Sequence, residues 1–562
     1  MKQKCFILIL FGILTLNVVL RLLSLLVPVW NGDEAVSATV AHAILDGGVP
    51  YRDGVDHRGP ITYYIYALIF AIFGRDNMLA IHAILIAWSS AVAIFVVAFA
   101  RLAGLQRGAL FAGFLFVLVS SVGLAPMDVY AFHTEWTMIA FTCPAALLFA
   151  RGLVRRQSIF LTVASGALFG LAFLSKQPSA LDVVAAGLLL AWAAFRRPTD
   201  LYLTGVGPAF RYGMLFSAGF LAVIGACVSY FIARGAWTDF LLYFWTYNRE
   251  YYIAAMPADQ RIRGLVTTYL HAPRIFGIGV LAVAGGTLAL LGAWRSRRCS
   301  SSLSNQDVSS GLSEISPSLP LYWLFWGIAG LAGASLSARA FPHYYIQFVP
   351  SWSLLGGLLV EHLLQRSVSE NKVIAKDGGA RWNYGRVGLA VVVIGLIVYG
   401  ILLVPRRIDL IRTALGEYHS PHQRVARHIH DHTASGDRIF VWGFLSEIYT
   451  HSERAPATRY SFCNFQTGFI PFVNASPNVD TQRWIVPGSR EILISELRAQ
   501  RPRFIVDTSP GVDSYSKYPL RTFPALASLI DEQYELDPNA TAAAKRPSGR
   551  PALHVYRLVE NR

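Results

Sequence analysis

Long apolar blocks separated by short polar breaks dominate the first two thirds of the chain. A helix needs about 20 predominantly apolar residues to cross the hydrocarbon core. Blocks of that size fall near 5–29, 79–100, 108–125, 133–150, 158–175, 178–195, 212–234, 273–294, 319–337, 343–364 and 387–404. They predict eleven transmembrane helices. One further block, Pro60–Phe73, is apolar but too short to span. Beyond Arg406 the apolar runs shrink to strand length, as in RIFVWG (438–443), RFIVD (503–507) and LHVYRL (553–558), with the helix-like SREILISELRAQ (489–500) among them. Strands alternating with helical patterns predict a small α/β domain. The expected organisation is therefore a polytopic α-helical membrane domain over 1–405 and a soluble α/β domain over 406–562. The membrane domain carries a first external loop at 30–78 and a large one at 235–272. The Ser-rich 296–318 and the charged, Gly-containing 366–385 read as cytoplasmic linkers.

Basic residues orient this pattern, because Lys and Arg concentrate in cytoplasmic loops. With Pro60–Phe73 left out of the count, Lys2/Lys4, Arg101/Arg107, Arg151/Arg155/Arg156, Arg196/Arg197, Arg295/Arg297/Arg298 and the Arg366–Arg386 segment all fall on one side. Counting it as a span moves five of these six clusters outside. Pro60–Phe73 is thus expected to lie at the outer membrane surface. The N-terminus is then cytoplasmic and the C-terminal domain external, in a plasma (inner) membrane.

Composition agrees with a membrane protein. The 562 residues are 54% hydrophobic and 15% charged, where a soluble domain would be nearer a quarter charged. A net charge of +15 does not signal nucleic acid, since the cations sit in short clusters between apolar stretches. The five cysteines are scattered and form neither a disulfide framework nor a zinc spacing. The N-terminal apolar run has no small-residue cleavage site and reads as an uncleaved first helix.

Orientation places most of the remaining polar residues outside. Asp33 and Glu34 point about 100° apart on a helix, so one can face a cavity while the other meets a basic neighbour or caps the helix. The loop GVPYRDGVDHRGP holds Asp56, His57 and Arg58 in defined turns near the membrane surface. Arg is the natural partner of a phosphate oxygen pair. Glu135 begins one span, beside His133 and Thr134, and Lys176 ends another; ionisable groups at membrane depth are functional candidates by default. Arg339, His343 and Tyr344 lie between two spans, near helix-breaking prolines. The loop FLLYFWTYNREYYIAAMP offers aromatics for stacking and Arg249 as a substrate contact. In HSPHQRVARHIHDHT, His428 and His432 share one helical face, but a metal centre is not expected.

Taken in order, GDEAVSATVAHAILDGGVPYRDGVDHRGPITYYIYALIFAIFG resembles the first external loop of the polytopic GT-C glycosyltransferases. It is most similar to the bacterial branch with the lipid A aminoarabinose and galacturonic acid transferases and the protein O-mannosyltransferases. That loop has an Asp-Glu pair, a helix, a G-x-P-Y turn and a basic residue before Pro. The likeness extends over about residues 1–200 and returns at ARAFPHYY. It implies a sugar donor on a polyprenyl phosphate and an inverting reaction. By resemblance Asp33 is the catalytic base, Glu34 its paired acid, and Glu135 the acidic residue of the second external loop. Arg58 and Lys176 stand near the lipid phosphate, with His57, Arg339 and His343 as further phosphate contacts and Asp56, Tyr344 and Arg249 as substrate contacts. His57-Arg58-Gly59 departs from the Lys-Pro-Pro run of many relatives, and Glu135 replaces a more usual Asp.

Chemistry supports the same assignment. Displacing a lipid phosphate from an anomeric carbon needs a base for the acceptor hydroxyl and cations for the departing phosphate. No hydrolysable nucleotide and no cofactor is required, and a divalent metal, used by some relatives, is not indicated. The expected partners are the polyprenyl-phosphate sugar donor, an envelope glycolipid, glycan or protein acceptor, and the bilayer. Two rivals share these features: a flippase for a lipid-linked sugar, and a ligase or polymerase drawing on a polyprenyl diphosphate. A transporter needs access from both sides and often has inverted repeats; here the charge at the edges of the spans gathers on one face and no repeat is visible.

Overall fold

Each of the eleven apolar blocks falls on a helix. The computed structural model describes residues 2–559 apart from 157, 255, 271–272, 300–314, 340, 378–382, 418–419, 472, 477, 513–514 and 546–551. Among the described residues seven helices are long and apolar enough to cross a membrane: Gln3–Leu26, Met78–Leu102, Thr134–Val154, Gln177–Arg196, Val206–Ala233, Gly277–Trp294 and Tyr384–Thr413. The other four expected blocks lie on Arg107–Val122, Ile159–Ser175, Ser318–Ser335 and Val349–Asp377. Arg107–Val122 and Ile159–Ser175 have 16 and 17 residues, about 24–26 Å at 1.5 Å per residue, against a core of about 30 Å. Pro60–Phe73 is a helix of 14 residues, again short of a span.

Two of the connecting segments are helical. The 235–272 loop is largely helical, with Trp237–Phe240, a π-helix at Leu241–Ile253 and an α-helix at Ala258–Leu270. The 366–385 linker is mostly the end of helix Val349–Asp377. Most of the Ser-rich linker lies outside the described residues, as do 378–382.

The chain divides into two compact units. The first comprises Met1–Leu23, Ala83–Cys227 and Ile262–Leu410, the second Ser24–His82, Val228–Arg261 and Ile411–Arg562. Small residues set the helix spacing in the first. A Cβ on Gly166 would stand 1.9 Å from the Phe216 carbonyl oxygen, and one on Gly219 would stand 1.9 Å from that of Val163. Helices Ile159–Ser175 and Val206–Ala233 therefore cross backbone to backbone, as small residues permit in a membrane. Large residues such as Ile7, Leu8, Phe11, Ile394 and Ile401 are exposed, as lipid-facing positions should be.

In the second unit the first external loop folds together with 228–261 and the C-terminal α/β domain. Helix α1 (Gln3–Arg21) precedes it; the loop forms α2 (Gly32–Leu45) and α3 (Pro60–Phe73). Aromatic packing joins these segments. Tyr51 meets Phe231 and Phe240 at 5.6 and 5.5 Å between ring centroids, and Tyr243 meets Phe465 at 5.2 Å. The sheet comprises β1 (Arg438–Trp442), β2 (Ala455–Pro456), β3 (Phe504–Asp507), β4 (Tyr534–Leu536) and β5 (His554–Leu558), ordered β2-β1-β3-β5-β4. β1 runs parallel to β2 and β3, while β5 is antiparallel to β3 and β4. The apolar runs of β1, β3 and β5 supply Ile439, Val441, Phe504, Val506 and Val555 to the buried core, which helix Pro421–Asp431 joins through Val425, Ala426 and Ile429.

Candidate active site

The start of α2 explains the paired carboxylates. Asn31 caps the helix by accepting from the Asp33 amide at 3.0 Å, which puts Asp33 and Glu34 in the first turn, where the helix dipole favours negative charge. The two side chains then diverge. Glu34 is buried; one oxygen accepts from the Trp30 amide at 2.9 Å and the other meets His82 Nε2 at 3.0 Å. Asp33 keeps about a fifth of its side chain exposed and pairs with the Arg58 guanidinium. Glu34 thus fixes the helix entry, and the open carboxylate is Asp33.

Arg58 is held from below. Its Nη1 donates to Asp56 at 2.7 Å, and Tyr63 donates its hydroxyl to the same oxygen at 2.8 Å. His57 Nδ1 lies 3.1 Å from the other Asp56 oxygen, off hydrogen-bond geometry. Burial alone would push the Asp56 carboxyl up, but the Arg58 charge and the His57 and Tyr63 contacts outweigh it and hold Asp56 well below the usual carboxylate range. The same pairing, with Asp33 first and Asp56 second, keeps Arg58 charged despite its burial. Sequence placed Asp56 among the substrate contacts. It is fully buried and instead positions Arg58.

The turn before this cluster is strained. Tyr51 has φ 74°, a left-handed conformation that costs a non-glycine residue roughly 1–3 kcal/mol. Its ring is wholly buried, and its hydroxyl donates to the Arg58 carbonyl at 2.6 Å. Asn248 of the π-helix donates to the His57 carbonyl at 2.6 Å. The backbone of 57–58 is therefore fixed on two sides. Arg249, next to Asn248, is exposed.

A second cluster lies within the first unit. Lys176, at the C-terminal end of helix Ile159–Ser175, forms an ion pair with Glu135 in the first turn of Thr134–Val154. Its Nζ also sits 3.8 Å above the Tyr344 ring. His343 Nδ1 meets Asp128 at 3.0 Å, and its ring stacks on His133 at 4.1 Å with the planes 8° apart. Arg339 is buried. Lys176 thus touches both Glu135 and Tyr344, and His343 touches both His133 and Asp128.

Three members of this cluster's support escaped the sequence reading. Arg21, wholly buried in α1, donates to the carbonyls of Val129 at 2.9 Å and Ser120 at 2.8 Å, and lies 4.3 Å over Trp136. Arg407 donates to the Leu124 carbonyl at 3.1 Å and lies 4.7 Å over Tyr130. Tyr130 in turn donates to the Leu20 carbonyl at 3.0 Å. These residues clamp the 120–130 segment that carries Asp128. An arginine inside the first apolar block was the available signal.

The family model described as dolichyl-phosphate-mannose-protein mannosyltransferase matches residues 57–206, a stretch that includes His57, Arg58, Glu135 and Lys176. Among solved structures, ArnT from Cupriavidus metallidurans bound to undecaprenyl phosphate is similar over 100% of this chain and 99% of its own, with a TM-score of 0.56 at 13% identity. The chain shares the fold of this ArnT structure. ArnT from the same organism in the apo state matches over 98% of this chain and 97% of its own, with a TM-score of 0.55 and 13% identity. The archaeal oligosaccharyltransferase AglB from Archaeoglobus fulgidus, in complex with an inhibitory peptide and a dolichol-phosphate, matches at 13% identity over 94% of this chain and 74% of its own, with a TM-score of 0.46. No curated protein sequence matches the chain. This fold agrees with the expected polytopic helical architecture and C-terminal soluble domain.

Proposed function

We propose that this multi-pass membrane protein is a glycosyltransferase that moves a sugar from a polyprenyl-phosphate donor to an envelope acceptor with inversion at the anomeric carbon. The observation that carries this reading is the Asp33–Arg58 pair, with Arg58 fixed from beneath by buried Asp56. It sets a partly exposed carboxylate beside a permanently charged guanidinium, the two groups that this displacement needs. Lipid-phosphate binding by the structurally similar ArnT, and the family model across 57–206, support the donor class.

In the reaction Asp33 takes the acceptor hydroxyl proton as that oxygen bonds to the anomeric carbon. The bond from that carbon to the phosphate oxygen breaks, and its electron pair leaves on the lipid phosphate. Paired with Arg58, the Asp33 carboxylate is engaged. A donor phosphate competing for the guanidinium frees it to accept the proton. Lys176, steadied by Glu135 and Tyr344, and Arg339 are the further phosphate cations, with His57 and His343 as hydrogen-bonding neighbours. Side-chain cations make a metal or cofactor unnecessary in this scheme. The protein sits in the inner membrane with its N-terminus cytoplasmic and its C-terminal domain periplasmic.

The test is reconstitution of the full chain with a polyprenyl-phosphate sugar labelled in the sugar. Label on an acceptor with equimolar release of polyprenyl phosphate is expected. Label that crosses the bilayer still attached to its lipid would make the protein a transporter, and label drawn only from a diphosphate donor would make it a ligase.

A further inference from the structure

Within the second unit, a cavity of about 200 Å³ opens between the later turns of α2, the loop at Asp53–Gly54, strands β1 and β2 and helix Ser489–Gln500. We propose that this cavity binds a neutral sugar ring of the acceptor, so that the acceptor is a saccharide of more than one residue. The proposal rests on the glycosyltransferase reading and names its acceptor class.

The walls select against ions. Arg438 Nη2 is paired with Asp46 at 3.3 Å, and Arg459 donates to Glu496 from its side chain at 2.6 Å and from its amide at 3.0 Å. Each guanidinium is thus already matched, and a phosphate or carboxylate entering here would face the carboxylates. A neutral hydroxyl gives its proton to a carboxylate and accepts from a guanidinium, so a polyhydroxylated ring satisfies both kinds of wall.

A second, independent observation points the same way. Ser461 borders the cavity and is 2% exposed, yet its hydroxyl has no hydrogen-bond partner among the described residues. A buried hydroxyl without a partner costs free energy that a ligand hydroxyl would recover. The space is many times the roughly 15 Å³ that a single water needs, and lies below the ~300 Å³ at which pockets for larger ligands begin. It suits one ring.

Position links the cavity to the chemistry. Thr39 and Asp46, which line it, follow Asp33 on α2 and its C-cap by 6 and 13 residues, about 9 and 20 Å along the axis. The chain from Gly54 at the cavity reaches Asp56 and Arg58 within four residues. A ring held here is not the one attacked. It is a remote part of the acceptor, whose binding energy orients the reacting hydroxyl.

The test uses the full-length protein in detergent, with ligand-observed saturation-transfer NMR on D-glucose, D-galactose and D-mannose and a parallel titration with inorganic phosphate. A saturable signal for at least one hexose is expected, undiminished by phosphate and weakened about tenfold, one ~1.4 kcal/mol contact, in Ser461→Ala and in Arg438→Gln. Ser461→Ala removes only a hydroxyl, which keeps the test readable if Arg438→Gln misfolds. Phosphate binding lost in the same variants, or no hexose signal that responds to them, overturns the proposal. Asp33-dependent sugar transfer with no such signal sinks this inference alone. A variant-sensitive hexose signal without transfer sinks the glycosyltransferase reading and leaves the cavity a sugar site.

Discussion

Asp33 shares the Arg58 guanidinium with Asp56, but only Asp33 is open to a ligand. One carboxylate holds the arginine and the other is exchangeable. Arg58→Lys keeps the charge but cannot present two nitrogens in a fixed fork to both partners. We expect kcat to fall at least about tenfold, with donor KM raised, in steady-state assays of label transfer. Unchanged kinetics would mean that the fork geometry is idle.

Asp56→Asn removes the buried anion beneath Arg58. Breaking such a pair from one side typically costs about 3–5 kcal/mol. The variant should unfold at lower denaturant and lose most activity. Tyr63→Phe, which removes one hydrogen bond to Asp56, should cost only about 1 kcal/mol. Equal effects from the two would contradict the hierarchy.

Lys176→Met deletes a cation that touches Glu135 and Tyr344. If Lys176 meets the lipid phosphate, loss of a charged hydrogen bond, ~1.5–3 kcal/mol, raises donor KM by roughly 10- to 100-fold. Acceptor KM should not move. A change confined to acceptor KM would reassign the residue.

Arg21→Gln tests the clamp on 120–130. Misplacement of about 1 Å can cost 10²-fold in rate. The expected result is a fall in kcat of that order with donor KM nearly unchanged, and no rescue by Arg21→Lys, which cannot reach both the Val129 and Ser120 carbonyls. Full activity in Arg21→Lys would show that charge alone suffices.

pH separates two groups of the second unit. Burial, then the nearby His422, pushes His451 in the C-terminal domain down to about 4. The unfolded chain, with histidine near 6.5, binds more protons between those values, so stability falls as pH drops through that window. From pH 7 to 5 the loss is roughly 2 kcal/mol, and His451→Gln should flatten it in denaturant titrations. Asp56 has its window lower: its depressed carboxyl contributes fully above about pH 4 and is lost only as pH falls further. The stability gap between wild type and Asp56→Asn should therefore stay constant from pH 8 to 5.

The membrane helices were legible because an apolar block of sufficient length has few other uses, and the α/β domain because its strands are short and evenly patterned. Asp33, Arg58, Glu135 and Lys176 stood out as charges at the edges of those blocks. Their supports did not. Tyr63 and Tyr51 look like interfacial aromatics until the fold turns their hydroxyls toward Asp56 and the Arg58 carbonyl. The 235–272 segment read as an external loop because it joins the blocks at 212–234 and 273–294, and its helices, one of them a π-helix with its own period, are too short and polar to count as spans. The union of the first loop with the C-terminal domain rests on close approaches such as Gly32 to Phe444, where a Cβ on the glycine would stand 3.1 Å from the ring. Contacts between segments so distant in the chain leave no periodic trace.

The mechanism turns on Asp33 as the base of a sugar transfer from a lipid phosphate. It is probed most simply by single-turnover transfer of labelled sugar by Asp33→Asn, in protein shown to be folded and to bind donor. The carboxamide keeps the shape and loses the base, so the rate should be lower by about 10²–10⁴, the usual worth of a general base, with donor affinity retained. Transfer at a rate near wild type would contradict the assignment of Asp33 as the base.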